Sequence, residues 1–191
     1  MILLSAVALG LLAGWGWSRW RRRPYGPPEL KSVWLVPAAF LPQLLAAYLP
    51  PTHQFLPSEA ARAALPLSLA VFLVFVWLNR GLPGMPILMI GLVLNLLVIA
   101  ANGGWMPISP AMAGNLPGGS DAQQAALGSR FGQKDVLLLP EDTRLEFLSD
   151  RFLLPGWLHY ATAFSLGDVF IAVGAFWLLA RPRAAQNSKV E

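Results

Sequence analysis

Apolar residues gather into five runs along this chain, at about 2–17, 33–49, 60–78, 86–101 and 164–180. Each run is apolar at nearly every position rather than at every third or fourth, so no helical face is reserved for water. Each also approaches the roughly 20 residues that carry a helix across a bilayer. The breaks between runs are short and polar, except for the long segment 102–163. The pattern predicts an all-α integral membrane protein: a bundle of five transmembrane helices in one domain, with one long extracytoplasmic loop.

The basic residues give the expected bundle a direction. Arg19 and Arg21 to Arg23 follow the first run instead of preceding it, the reverse of a signal peptide, so that run reads as a retained anchor with the N-terminus outside. Alternate loops then place Arg19, Arg21 to Arg23, Lys31, Arg80, Arg181, Arg183 and Lys189 on one side. These are nine of the fourteen basic residues, and the positive-inside rule assigns that side, with the C-terminus, to the cytoplasm. Trp15, Trp17, Trp20, Trp34, Trp77 and Trp177 fall near the same ends, where indoles favour the headgroup level. The expected location is the cytoplasmic membrane of a bacterium, crossed several times.

Composition agrees with this. Of 191 residues 55% are hydrophobic and 13% charged, a balance unlike that of a water-soluble domain. The net charge of +4 belongs to topology and anionic lipid rather than to nucleic acid, because its basic residues border apolar runs. No cysteine is present, which excludes disulfides, thiolate metal sites and cysteine nucleophiles.

The outer loop divides in two. Its first half is rich in Gly, Pro, Asn and Ser, which favour turns. Its second half places Thr143 three residues before Glu146, a capping-box spacing, ahead of apolar Leu145, Leu148 and Phe152. The expectation there is a short amphipathic helix, TRLEFLSDRFL.

Candidate chemistry is sparse. The middles of the five runs hold no charged residue, which counts against proton relays, voltage sensors and charge-coupled pumps. His53 and His159 lie in outer loops, so no haem, metal or other cofactor is expected. No GxSxG, Walker A or GxGxxG pattern occurs. Gly10 and Gly14 form a GxxxG that permits close helix contact. Gln43 and Asn95 each lie about 9 Å below the outer boundary at 1.5 Å per residue, either bonded across helices or lining a pocket. Asn102, Gly103 and Gly104 leave the fourth run where Ser165 and Asp168 begin the fifth, so the two ends can share a polar mouth. Ser165 and Asp168 also have capping-box spacing, and the acid is then either a cap alone or a working group facing the NGG turn. His159 and Asp150 are further candidates.

The elements NGGWMPIS (Asn102 to Ser109) and FSLGDVFIAVG (Phe164 to Gly174), joined through DTRLEFLSDRF, resemble a family of small bacterial polytopic membrane proteins, the domain of unknown function 5317 family. Where that family shows a Gly-Asp turn in the middle segment, this chain has Ser149 and Asp150. The resemblance implies the membrane topology and draws attention to the outer face, and it implies no reaction.

The expected function is therefore that of a non-catalytic polytopic membrane protein, binding lipid or a partner membrane protein through its outer loop and outer helix ends. Gln43, Asn95, Asn102, Gly103, Gly104, Ser165 and Asp168 are the candidate interaction site. Two alternatives stand beside it: a transporter or channel-like protein for a lipid or small neutral solute, and an extracytoplasmic enzyme using Asp168 with His159.

Overall fold

The computed structural model describes residues 2–22, 24–47, 58–120, 122, 124–132, 134–154 and 161–181. His53 and His159 lie outside the described residues, as do Trp157 and the end of the second apolar run.

Each apolar run forms a helix. In chain order the helices are α1 (Ile2–Trp20), α2 (Leu35–Ala47), α3 (Ser58–Leu78), α4 (Met85–Ala101), the single turn α5 (Pro110–Ala113) and α6 (Leu166–Ala180). α6 packs against α1 and α4, and α3 packs against α2 and α4. Phe75, Val76, Leu82, Met85, Leu88 and Leu178 fill the core between α3, α4 and α6. The GxxxG of α1 meets α6, since a Cβ on Gly14 would run into the Leu179 carbonyl oxygen.

The end of the bundle away from the 102–164 segment is tied by side chains. Asn79, 3% exposed, accepts from the Lys31 amide at 2.7 Å and donates to the Lys31 and Phe75 carbonyls. Tyr25 donates to the Leu179 carbonyl at 2.9 Å. Arg19, Arg21, Arg80 and Arg181 lie at this end over the rings of Trp15, Trp17, Trp77 and Trp177. Such pairs place a cation and an amphipathic ring at one level.

Leu4, Leu12, Leu41, Leu67, Val74 and Leu97 point outward from the bundle. Ile2–Trp20 and Ala61–Leu78 are long and apolar enough to cross a membrane, and fewer than a quarter of the residues in either are buried. A soluble core helix would have buried them.

The 102–164 segment differs from the expected loop. β1 (Met106–Ile108) runs parallel to β3 (Asp135–Leu137), and β2 (Arg130–Phe131) antiparallel to β3, giving the order β1-β3-β2. β4 (Phe152–Leu153) pairs with β5 (Ala163–Phe164). Ile108, Ala113, Ala122, Leu137 and Ala163 form a small core of their own under these strands. The fold is thus mostly helical rather than all-α.

The amphipathic helix expected from Thr143 is not formed. Pro140–Asp142 and Glu146–Leu148 are single 3₁₀ turns, and Phe152 begins a strand. Three competitors take the groups that a helix would need. Asn102 holds both the N–H and the carbonyl of Arg144, Leu145 adopts a left-handed φ of 55°, and the Asp150 N–H donates to the Pro107 carbonyl. Thr143 does not cap a helix but donates its hydroxyl to the Leu139 carbonyl.

Candidate functional site

The site begins with the approach of α4 to α6. A Cβ on Gly91 would lie 2.5 Å from the Gly167 carbonyl oxygen, so the two backbones touch there. One turn further along α4, this contact carries Asn95 onto the first turn of α6. Ser165 donates its hydroxyl to Asn95 Oδ1 at 2.9 Å, and Asn95 Nδ2 donates to Asp168 Oδ1 at 2.9 Å. The capping box is complete: the Asp168 N–H donates to Ser165 Oγ and the Ser165 N–H to Asp168 Oδ2, both at 3.1 Å. Asp168 is therefore both the cap of α6 and one end of a bond between helices.

This pairing decides between the two arrangements open to Gln43 and Asn95, and it corrects the expected mouth. No hydrogen bond joins Gln43 to Asn95; Asn95 takes Ser165 and Asp168 instead, and Gln43 lines the cavity beside them. The NGG turn does not share a mouth with Asp168. Asn102 Nδ2 caps α4 by donating to the Val98 carbonyl at 2.7 Å, and Gly104, with φ of 90°, lets the chain pass against the Arg62 carbonyl of α3. Asn102, Gly103 and Gly104 thus fasten the loop to the bundle.

Lys134, which no sequence pattern singled out, completes the site. It sits in the turn between β2 and β3, and its carbonyl accepts from the Met106 N–H, which fixes that turn beside α4. Its ammonium pairs with Asp150 and lies 3.5 Å from Asp135 Oδ1. Asp150 is 1% exposed, while the Lys134 side chain keeps 44% of its surface. Burial pushes the Asp150 carboxyl up from its ordinary value against the pull of Lys134, and burial likewise brings Asp135 to about 6. Burial would lower the Lys134 ammonium, but Asp150, Asp135 and Asp168 together hold it above the ordinary lysine value. Asp150 Oδ1 and Asp135 Oδ1 accept no hydrogen bond among the described residues.

These groups cap a cavity of about 310 Å³ at the loop end of the bundle. Gln43, Ser68, Asn95, Lys134, Thr162 and Asp168 supply its polar lining, and residues such as Leu69, Phe72, Leu92 and Ile171 supply the larger apolar part. The Ser68 hydroxyl is buried on this wall without a hydrogen-bond partner among the described residues. Among the described residues no cluster of three or more His, Cys, Asp or Glu is placed to hold a metal ion.

A bundle of apolar helices with an amphiphilic cavity under a strand-built cap is the class of protein that fold and site define. The chain belongs to the family of unknown function DUF5317, whose model matches residues 28–180. Neither a curated protein nor a solved structure matches it.

Proposed function

We propose that this chain crosses the bacterial cytoplasmic membrane five times, with its arginine end inside, and binds a small amphiphile in the cavity at the outer ends of its helices. The observation that carries the reading is the two-part lining: an apolar wall on α3, α4 and α6 leading to the polar groups around Asp168. A volume of about 310 Å³ falls at the small end of the roughly 300–1,000 Å³ typical of ligand sites, which suits one short chain with a headgroup.

Helix length supports the same picture. α4 and α6 have 17 and 15 residues, fewer than the roughly 20 a full crossing takes. The 102–164 segment makes up the difference by settling into the loop end, with its backbone bonded in strands as hydrocarbon surroundings require. Binding is favoured over conduction because Val76, Met85, Leu88 and Leu178 close the opposite half of the bundle.

Two results test the reading. The chain has no cysteine, so single cysteines report topology cleanly. Ala126→Cys in the loop is expected to react with a membrane-impermeant maleimide on intact cells, and Gly81→Cys only after permeabilisation. The opposite labelling would overturn the orientation. For the cavity, Gln43→Phe places a ring in the space. Native mass spectrometry from mild detergent is expected to show the wild type retaining one amphiphile and Gln43→Phe retaining none, at an unchanged or higher thermal midpoint. Equal retention by the two proteins would empty the cavity of its role.

A further inference from the structure

The lining of the cavity also selects the headgroup. Lys134 and Asp168 are the charged residues of that lining, and Lys134 also feels the carboxylates of Asp135 and Asp150 beside it. An incoming anion would add to these carboxylates, and Lys134 is already committed to Asp150 and Asp135. Even with Asp135 and Asp150 protonated, Lys134 and Asp168 merely balance, and nothing invites a negative group. Acceptors, by contrast, remain available. Each Asp168 oxygen takes one hydrogen bond from the protein, from Asn95 or from the Ser165 amide, and has a further lone pair to offer. The Gln43 side-chain carbonyl belongs to the lining of the same cavity.

A second observation, independent of charge, marks the cavity as built for an occupant. Ser68, a lining residue 97% buried, keeps a hydroxyl without a hydrogen-bond partner among the described residues, a cost that a pocket built as an apolar void has no reason to carry. Resting on the amphiphile reading above, we propose that the occupant is a small aliphatic amine bound as its ammonium ion. The head is held by Asp168 and Gln43, and the chain lies along Leu69, Phe72 and Leu92.

The test is a matched series, octylamine, 1-octanol and octanoate, titrated calorimetrically near neutral pH into the wild-type protein in phosphatidylcholine nanodiscs. Titrations of Gln43→Phe nanodiscs supply the background for partition into lipid. Octylamine is expected to bind about tenfold or more tightly than 1-octanol, and octanoate not measurably, because a charge-assisted bond to a half-buried carboxylate exceeds a neutral one. Asp168→Asn should lower octylamine affinity by about tenfold and leave 1-octanol within about twofold. Octanol binding as tightly as the amine, or octanoate binding more tightly, would overturn the ammonium assignment while leaving the cavity reading intact. Failure of all three to bind the folded wild type above the Gln43→Phe background would overturn the cavity reading itself. Should Asp168→Asn not fold, the wild-type series alone decides the headgroup.

Discussion

Adding one methyl group at Gly91 is expected to destabilise the protein by about 2–3 kcal/mol, at the upper end of what overpacking costs. The new Cβ would lie 2.5 Å from the Gly167 carbonyl oxygen and 2.7 Å from the Ile171 nitrogen. Both are backbone atoms in a helix, so no rotamer change relieves the clash and α4 must move away from α6. That movement also draws Asn95 off Ser165 and Asp168, since their 2.9 Å bonds leave no slack. Two signals should therefore appear together in Gly91→Ala: a lower thermal midpoint by circular dichroism, and loss of the distinct Asn95 side-chain amide resonances in nitrogen-15 spectra. Gly16→Ala is the matched control, because a Cβ there meets nothing within 4 Å and alanine favours the helix. If Gly91→Ala behaves like Gly16→Ala, the close contact is not what holds the site.

The helices were legible because continuous apolarity needs no tertiary information. The run expected at 86–101 is α4 at Met85–Ala101, and that at 164–180 is α6 at Leu166–Ala180. α1 outlasts its apolar run by three residues because Trp20 and Arg19 are good enough helix formers with room to extend outward. The 143–153 stretch misled for the opposite reason. Its capping spacing is a local signal, and Asn102, forty-two residues away, captured the Arg144 backbone first. A two-sided polar side chain reaching a backbone from afar leaves no trace in the local pattern.

The site was half legible on the same principle. Ser165 and Asp168 announce themselves through three-residue spacing, and the structure forms that capping box. Asn95 was visible as a polar residue in an apolar run, but its partner depends on how α4 is rotated against α6. The glycines at 91 and 167 decide that rotation, and only the crossing shows that they face each other. Lys134 carried no signal at all. It is one base among several in a mixed loop, and its place beside Asp150 follows from the parallel pairing of β1 with β3, a non-local event.

Lys134→Met is expected to cost about 2 kcal/mol near pH 8, and most of that difference should vanish near pH 5. Removing the ammonium strands Asp150, 1% exposed, with no opposite charge. Losing one member of a fully buried pair costs about 3–5 kcal/mol, and the half-open position of Lys134, which admits water, brings the figure down. The sign of the pH dependence follows from the direction of the shifts. Asp135, raised to about 6, and Asp150, also raised, ionise less readily folded than unfolded. The stability they contribute is therefore fully present below the ordinary carboxyl value of about 4 and is lost as pH rises through the folded value. Without Lys134 to offset burial, both carboxyls rise further, so the loss is larger and reaches to higher pH in the variant. Thermal midpoints of the two proteins should converge on acidification and part on alkalinisation. Asp150→Asn added to Lys134→Met should recover part of the loss near pH 8, because it removes the stranded charge rather than the cation. A gap that stays constant from about pH 5 to pH 8 would mean that Lys134 acts through its packed methylenes and not through the carboxylates it faces.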